Sequence, residues 1–184
     1  MIHLMNLTLA LTIPITLGAL CGTISERGGI IMLGVEGMML MGAFSAVLGS
    51  YVTGSAIIGV LFAMLVGGLL GFLYCLFCLK FKAHQSVIGV GLNLFASGIT
   101  KVLLKAIWGQ EGMSTFVDTI GKVNLPLLKS IPVIGPIFFD QSPLLYLTLV
   151  IVAAVWFVFY RSKFGLRYRA IGDHPLAVRT VGVD

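Results

Sequence analysis

An all-α, polytopic bundle of transmembrane helices is what this sequence predicts, and three observations predict it. Of the 184 residues, 58% are hydrophobic and 10% charged, against about 45–50% and about 25% in an ordinary soluble domain. The few charges are unevenly placed, and residues 4–24 and 143–160 contain none. Each of these runs approaches the ~20 apolar residues that a helix needs to cross hydrocarbon. Twelve Lys/Arg against seven Asp/Glu is the basic excess that cytoplasmic loops of membrane proteins carry. No basic stripe is interleaved with stacking aromatics, so nucleic acid is excluded as a partner.

Five spans follow in order. The first covers 4–24. The start Met1-Ile2-His3 lacks the positive region of a signal peptide, so this run reads as a helix and not a cleaved leader, with a break expected at Pro14. The second lies within 29–51 and holds Gly34, Gly37, Gly42, Gly49 and the charged Glu36. The third, 56–79, together with the preceding Ser55, has Ser55, Gly59, Ala63, Gly67, Gly71 and Cys75 at every fourth position. Apolar attraction between helices is weak in lipid, so close backbone approach over such a stripe is expected to pack the helix. Ala10, Pro14, Gly18 and Gly22 repeat the spacing in the first span. The fourth span, 86–108, places Asn93, Ser97 and Lys101 at i, i+4 and i+8 with Thr100 beside them. That is one polar face, directed inward or toward a permeation route. Residues 109–142 contain Pro126, Pro132 and Pro136, are too broken to span, and read as an external loop. The fifth span is 143–160, and 161–184 is a separate basic tail.

Counting Lys and Arg in the connections orients the chain. Arg27, Lys80, Lys82 and the tail residues Arg161, Lys163, Arg167, Arg169 and Arg179 share one side. The other side has Lys122 and Lys129, with Lys101 and Lys105 able to snorkel from the end of the fourth span. The tail is therefore expected to be cytoplasmic and the N-terminus outside; a re-entrant second segment would change that parity.

Catalytic signatures are missing. The sequence has no H-E-x-x-H, no G-x-S-x-G, no pair of intramembrane Asp and no Walker motif, so any ATP-driven work needs a partner's nucleotide site. No catalytic residue, metal site or cofactor is expected. Cys75-Leu76-Phe77-Cys78 has C-x-x-C spacing, but lacks further ligands and reads as small buried side chains. Glu36 is more informative, because a charge at mid-membrane costs at least about 2.5–3.5 kcal/mol. It either faces a solute pathway, with the nearby glycines breaking the helix, or it ties segments together through an internal hydrogen bond. In the tail, Asp173 is expected to cap a short helix from about His174, with Pro175 in its first turn and Gly182 ending it. A short helix outside the membrane suits docking on another protein; the alternative is a solvated basic tail.

Three stretches carry a family resemblance: Ser25-Glu26-Arg27 through Gly34-Val35-Glu36-Gly37-Met38-Met39-Leu40, then Gln85 to Asn93, then Phe164 to Gly182. Over nearly the whole chain it resembles the permease subunit of bacterial ABC importers for simple sugars, branched-chain amino acids and nucleosides. Within that family it is most similar to the nucleoside (simple-sugar-like) permeases that work with a basic-membrane-lipoprotein receptor. The resemblance implies a bacterial plasma-membrane location and four kinds of partner: the bilayer, a cytoplasmic ABC ATPase, a second permease subunit and an extracellular binding lipoprotein. The intramembrane polar residues Glu36, Asn93 and Ser97 are then expected to line the substrate pathway. The resemblance also implies an ATPase-coupling segment with Gly165, Arg167, Arg169, Asp173, Pro175, Ala177 and Gly182, in which Ala177 and Gly182 stand one residue further apart than in the family pattern. Met32 stands where the family usually has Asn, and His84 where it has an acidic or amide residue. Family members continue for several helices beyond the coupling segment, so this chain is expected to be a truncated permease, unable to transport alone. The competing class is an ATP-independent carrier or channel using Glu36 as an ion or proton site.

Overall fold

The computed structural model describes residues 2–109, 113, 121 and 142–180. These residues form helices and no strands: α1 (Ile2–Arg27), α2 (Val35–Thr53), α3 (Ala56–Leu79), α4 (Gln85–Trp108), α5 (Pro143–Arg161), α6 (Lys163–Asp173) and α7 (Pro175–Thr180). The first five are long and apolar enough to cross a membrane, which makes this a multi-pass membrane protein. The external loop expected at 109–142 falls almost wholly outside the described residues, as do Lys122, Lys129 and Gly182.

Two compact units divide the chain, Ile30–Thr119 on the one hand and Met1–Gly29 with Ile120–Asp184 on the other. In the first of these, α2 and α3 form an antiparallel hairpin across the tight turn Gly54-Ser55, where Gly54 takes a left-handed conformation, φ 65°. Their crossing is close because Gly59 has no side chain. A Cβ there would stand 2.5 Å from the Ala46 carbonyl oxygen, nearer than carbon and oxygen can approach. Further along, Met38, Leu70 and Tyr74 form a small core with Ile30, Met32 and Leu92 against it.

The four-residue stripe of α3 packs only at its beginning. Cβ atoms built on Gly67 and Gly71 would meet nothing within 4 Å, while Leu70 and Tyr74 are buried. The reason is geometric. At 3.6 residues per turn a strict four-residue row drifts about 40° per step, so it winds off the contact face within a few turns. The buried row Gly59, Leu70, Tyr74 follows the true helical period instead.

Helix α4 runs parallel to α2. Gly89 and Asn93 meet the start of α2, the Thr100 hydroxyl contacts Met41 Sδ at 3.4 Å, and Trp108 packs edge-on against Phe44 and Tyr51. The last contact makes an aromatic cluster at the C-terminal ends of both helices, the placement expected of an interfacial belt.

In the other unit, α1 is continuous through Pro14, where a break was expected. Thr8, Thr12, Thr16 and Thr23 each donate a hydroxyl to the carbonyl four residues back, so these polar groups are satisfied within the helix. Intramembrane prolines are accommodated by such local adjustments. Helices α1 and α5 run parallel: Leu9 and Thr12 lie with Leu145 and Leu149, and Ile24 with Phe159. Ser142 caps α5 by accepting from Leu144 N at 3.4 Å, with Pro143 in the first turn.

Candidate functional site

The expected second span begins later than the glycine-rich stretch suggests. Residues 28–34 are irregular, and α2 starts at Val35, which puts Glu36 in the first turn of a helix. Gly34 precedes that helix with no side chain to cap it. A neighbouring helix supplies the cap. Asn93 of α4 accepts a hydrogen bond from Gly37 N through Oδ1 at 2.8 Å and donates from Nδ2 to Leu33 O at 3.2 Å. Gly37 is needed at this contact, since a Cβ there would stand 2.8 Å from Asn93 Oδ1.

Two more side chains hold the irregular stretch. Gln85 Oε1 accepts from Ile31 N at 2.8 Å. The Tyr74 hydroxyl donates toward Ile31 O at 2.8 Å, with Gln85 O also in reach at 3.1 Å. Tyr74 is 1% exposed, so its hydroxyl has no access to water as an alternative partner. Unpaired backbone groups are costly in hydrocarbon, and the paired amide and phenol groups here remove that cost. Tyr74, Gln85 and Asn93 thus form a three-point clamp on 31–37.

Of the expected pathway residues, Asn93 is therefore committed to backbone. Ser97 is half-buried one turn further along α4, and Lys101 is exposed. Glu36 is exposed and makes no ion pair with any described residue; the positive end of the α2 dipole lies beside it. The internal-tie reading of Glu36 finds no partner among the described residues. The role of the clamp was not anticipated from the sequence: Tyr74 and Gln85 carry no charge, and their register to residue 31 depends on the turn between α3 and α4.

The basic tail is ordered differently from the expectation. The short helix expected from about His174 is α7, which starts at Pro175, but Asp173 does not cap it: Asp173 closes a further helix, α6, and His174 precedes α7. Ser162 caps α6 by accepting from Gly165 N at 3.2 Å. The inner face of α6 is Gly165, Tyr168, Arg169 and Gly172, spaced i, i+3, i+4 and i+7, the period of a packed helical stripe. Gly165 sits against the Phe159 and Val158 carbonyls, and Gly172 against the Arg27 carbonyl, in contacts that leave no room for a Cβ. Tyr168 donates to Ile24 O at 3.1 Å and packs edge-on against Phe159. Helix α6 is in this way latched to the C-terminal ends of α1 and α5.

Arg169 is turned back by that latch. Its guanidinium carbon lies 5.2 Å from the centre of the Tyr160 ring, and its Nε donates to Gly165 O at 3.4 Å. Arg167, Asp173 and Ala177 are exposed. The expected coupling residues thus divide into Gly165 and Arg169, which serve the corner between α5 and α6, and a free set of Arg167, Asp173 and Ala177. Gly182 lies outside the described residues.

Comparison with known proteins gives a coherent result. The family model described as "Branched-chain amino acid transport system / permease component" matches residues 4–184. The guanosine ABC transporter permease protein NupQ of Bacillus subtilis is 35% identical over 187 residues, 96% of this chain and 58% of NupQ. The nucleoside ABC transporter permease protein NupC of Lactococcus lactis is 36% identical over 178 residues, 93% of this chain and 56% of NupC. A putative glucose ABC transporter permease protein of Haloferax volcanii, TsgC13, is 34% identical over 98% of this chain and 54% of its own length. The chain thus spans a little over half the length of these curated relatives. No solved structure matches it.

Proposed function

We propose, since this chain belongs to the permease-component family of the branched-chain amino acid transport systems, that it forms part of the transmembrane path of an ATP-driven importer of nucleosides or related sugars. One observation carries the reading: the similarity to NupQ and NupC extends across more than nine-tenths of the chain. The family match over residues 4–184 takes in both the clamped stretch before α2 and the α6–α7 segment. The protein is not itself an ATPase on this reading. It sits in a bacterial plasma membrane with its N-terminus outside and α6–α7 in the cytoplasm, beside a second permease subunit. An external binding lipoprotein hands over the cargo.

The path runs past Glu36 and Ser97, with Asn93 holding the α2 start that carries Glu36. A carboxylate facing water in the path can accept from sugar hydroxyls or a base N–H, which suits an uncharged, hydroxyl-rich solute. On the cytoplasmic side, the ATPase docks on α7 and the exposed face of α6 through Arg167, Asp173, Pro175, Ala177 and Gly182. Gly165 and Arg169 act indirectly by fixing the α5–α6 corner. Because α6 is latched to the end of α1 by Tyr168 and Gly172, displacement of α6 moves α1 with it, and rigid-body movement of this kind is how access reverses.

The reading is tested by co-purification. A cognate ABC ATPase should be retained by the complete permease in detergent, and Arg167→Glu with Ala177→Trp should reduce retention at least about ten-fold without altering insertion. Failure of the unmodified permease to retain any ATPase would remove the assignment.

A further inference from the structure

A crevice of about 220 Å³ opens between the C-terminal thirds of α1 and α5. Its walls are mostly apolar, with Leu20, Ile24, Val152 and Phe159, and Arg27 and Arg169 also line it. A second crevice, about 130 Å³, follows the same pair of helices toward their N-termini and shares Val152 with the first. From Ile24 to Leu9 the two cover about 20 Å of helix at ~1.5 Å per residue. That exceeds the depth of one hydrocarbon leaflet, roughly half of ~30 Å. A third space, about 280 Å³, is lined by the same two arginines together with Leu166, Ala170 and Asp173 of α6.

Arg27 and Arg169 therefore border both an apolar slot and a polar chamber. Neither guanidinium pairs with a carboxylate among the described residues, although Asp173 lines the chamber; two arginines and one aspartate leave it with a net positive charge. Trp156 and Tyr160, 57% and 56% exposed, stand at the same end of the slot, where amphipathic rings settle at the headgroup level. An apolar slot as deep as a leaflet, ending in a cationic chamber, matches one chemical class: a phosphodiester headgroup with a long acyl chain. Basic pockets between helices on the cytoplasmic side are the kind of site that holds anionic lipid.

We propose that the α1–α5 groove is a binding site for an anionic phospholipid, whose phosphodiester is held by Arg27 and Arg169 and one of whose acyl chains lies along Ile24, Val152 and Leu9. The guanidinium of Arg27 is exposed and reaches the phosphate from α1, while the stacking of Arg169 on Tyr160 fixes the second donor group in orientation. The lipid thereby ties together α1, α5 and α6 at the latch.

Native mass spectrometry of the detergent-purified complete permease, titrated with phosphatidylglycerol or phosphatidylcholine of identical acyl chains, tests this. Phosphatidylglycerol should be retained at least about ten-fold better. Replacing both arginines, Arg27→Gln with Arg169→Gln, should weaken it about thirty-fold, from about five-fold per basic side chain. Val152→Trp, which fills the slot and leaves both arginines in place, should lower retention of phosphatidylglycerol while the protein stays monodisperse. Arg161→Gln with Lys163→Gln, on exposed positions that border none of the three spaces, should change retention less than about two-fold. Inorganic phosphate should not compete at millimolar concentration. Equal retention of the two lipids would overturn the proposal. So would an equal loss in the Arg161/Lys163 variant, competition by phosphate alone, unchanged retention in Val152→Trp, or exclusion of lipid from the groove by a further helix of the complete permease or by a second copy.

Discussion

Asn93 and Glu36 lie within one helical turn of each other's contacts, yet their burdens differ in kind. Asn93 supplies both a donor and an acceptor to backbone groups of 33–37, so Asn93→Leu leaves two such groups unpaired. An unsatisfied buried group costs about 1–3 kcal/mol, and membrane measurements lie at the low end; a loss of about 1–3 kcal/mol is expected in detergent unfolding. Tyr74→Phe should cost about 1 kcal/mol. Because both side chains hold the same segment, the double variant should deviate from additivity by more than the ~0.5 kcal/mol typical of independent sites. Glu36 is exposed, so Glu36→Gln should leave stability within about 0.5 kcal/mol while lowering uptake by the assembled transporter. Loss of stability without loss of uptake would give Glu36 a structural role instead.

Among the elements, the hairpin α2–α3 and the latch of α6 depend on glycine contacts that can be tested in pairs. Gly59→Leu should destabilise by about 1–3 kcal/mol, the usual cost of overpacking. Gly67→Leu, eight residues along the same four-residue row, has open space around it and should be nearly neutral. Gly172→Val should lift α6 from the Arg27 carbonyl, raising protease cleavage between α5 and α7 several-fold, with the α2–α3 hairpin unaffected. The contrast between Gly59 and Gly67 also shows where sequence reading stops. Charge-free runs and their flanking charges place the long helices well, because hydrocarbon thickness dictates their length. A four-residue repeat says that small residues are present but not which of them face a neighbour, since the row drifts around the helix. Pro14 looks like a break in the sequence but sits within a continuous α1. The face Gly165, Tyr168, Arg169, Gly172 has the spacing of a packed stripe, but in the sequence it reads only as part of a basic segment that docks on another protein or stays solvated, because the carbonyls it packs on are brought there by the fold. Asn93 was legible as a polar intramembrane residue; that it caps α2 was not, because the cap is made across 56 residues of sequence.

For the molecule as a whole, the central proposal is that this membrane-spanning chain forms part of an importer whose energy would come from another subunit. The family match and the five apolar helices support that proposal, and the proposed cargo rests on the similarity to relatives named as guanosine and nucleoside permeases. The most direct measurement is uptake of labelled guanosine into proteoliposomes containing the complete permease, its ATPase and its receptor, with unlabelled ribose as competitor. Entry that requires ATP and all three components, and that ribose does not suppress, is the expected result. Guanosine entry driven by an ion gradient with no ATPase present would contradict the account.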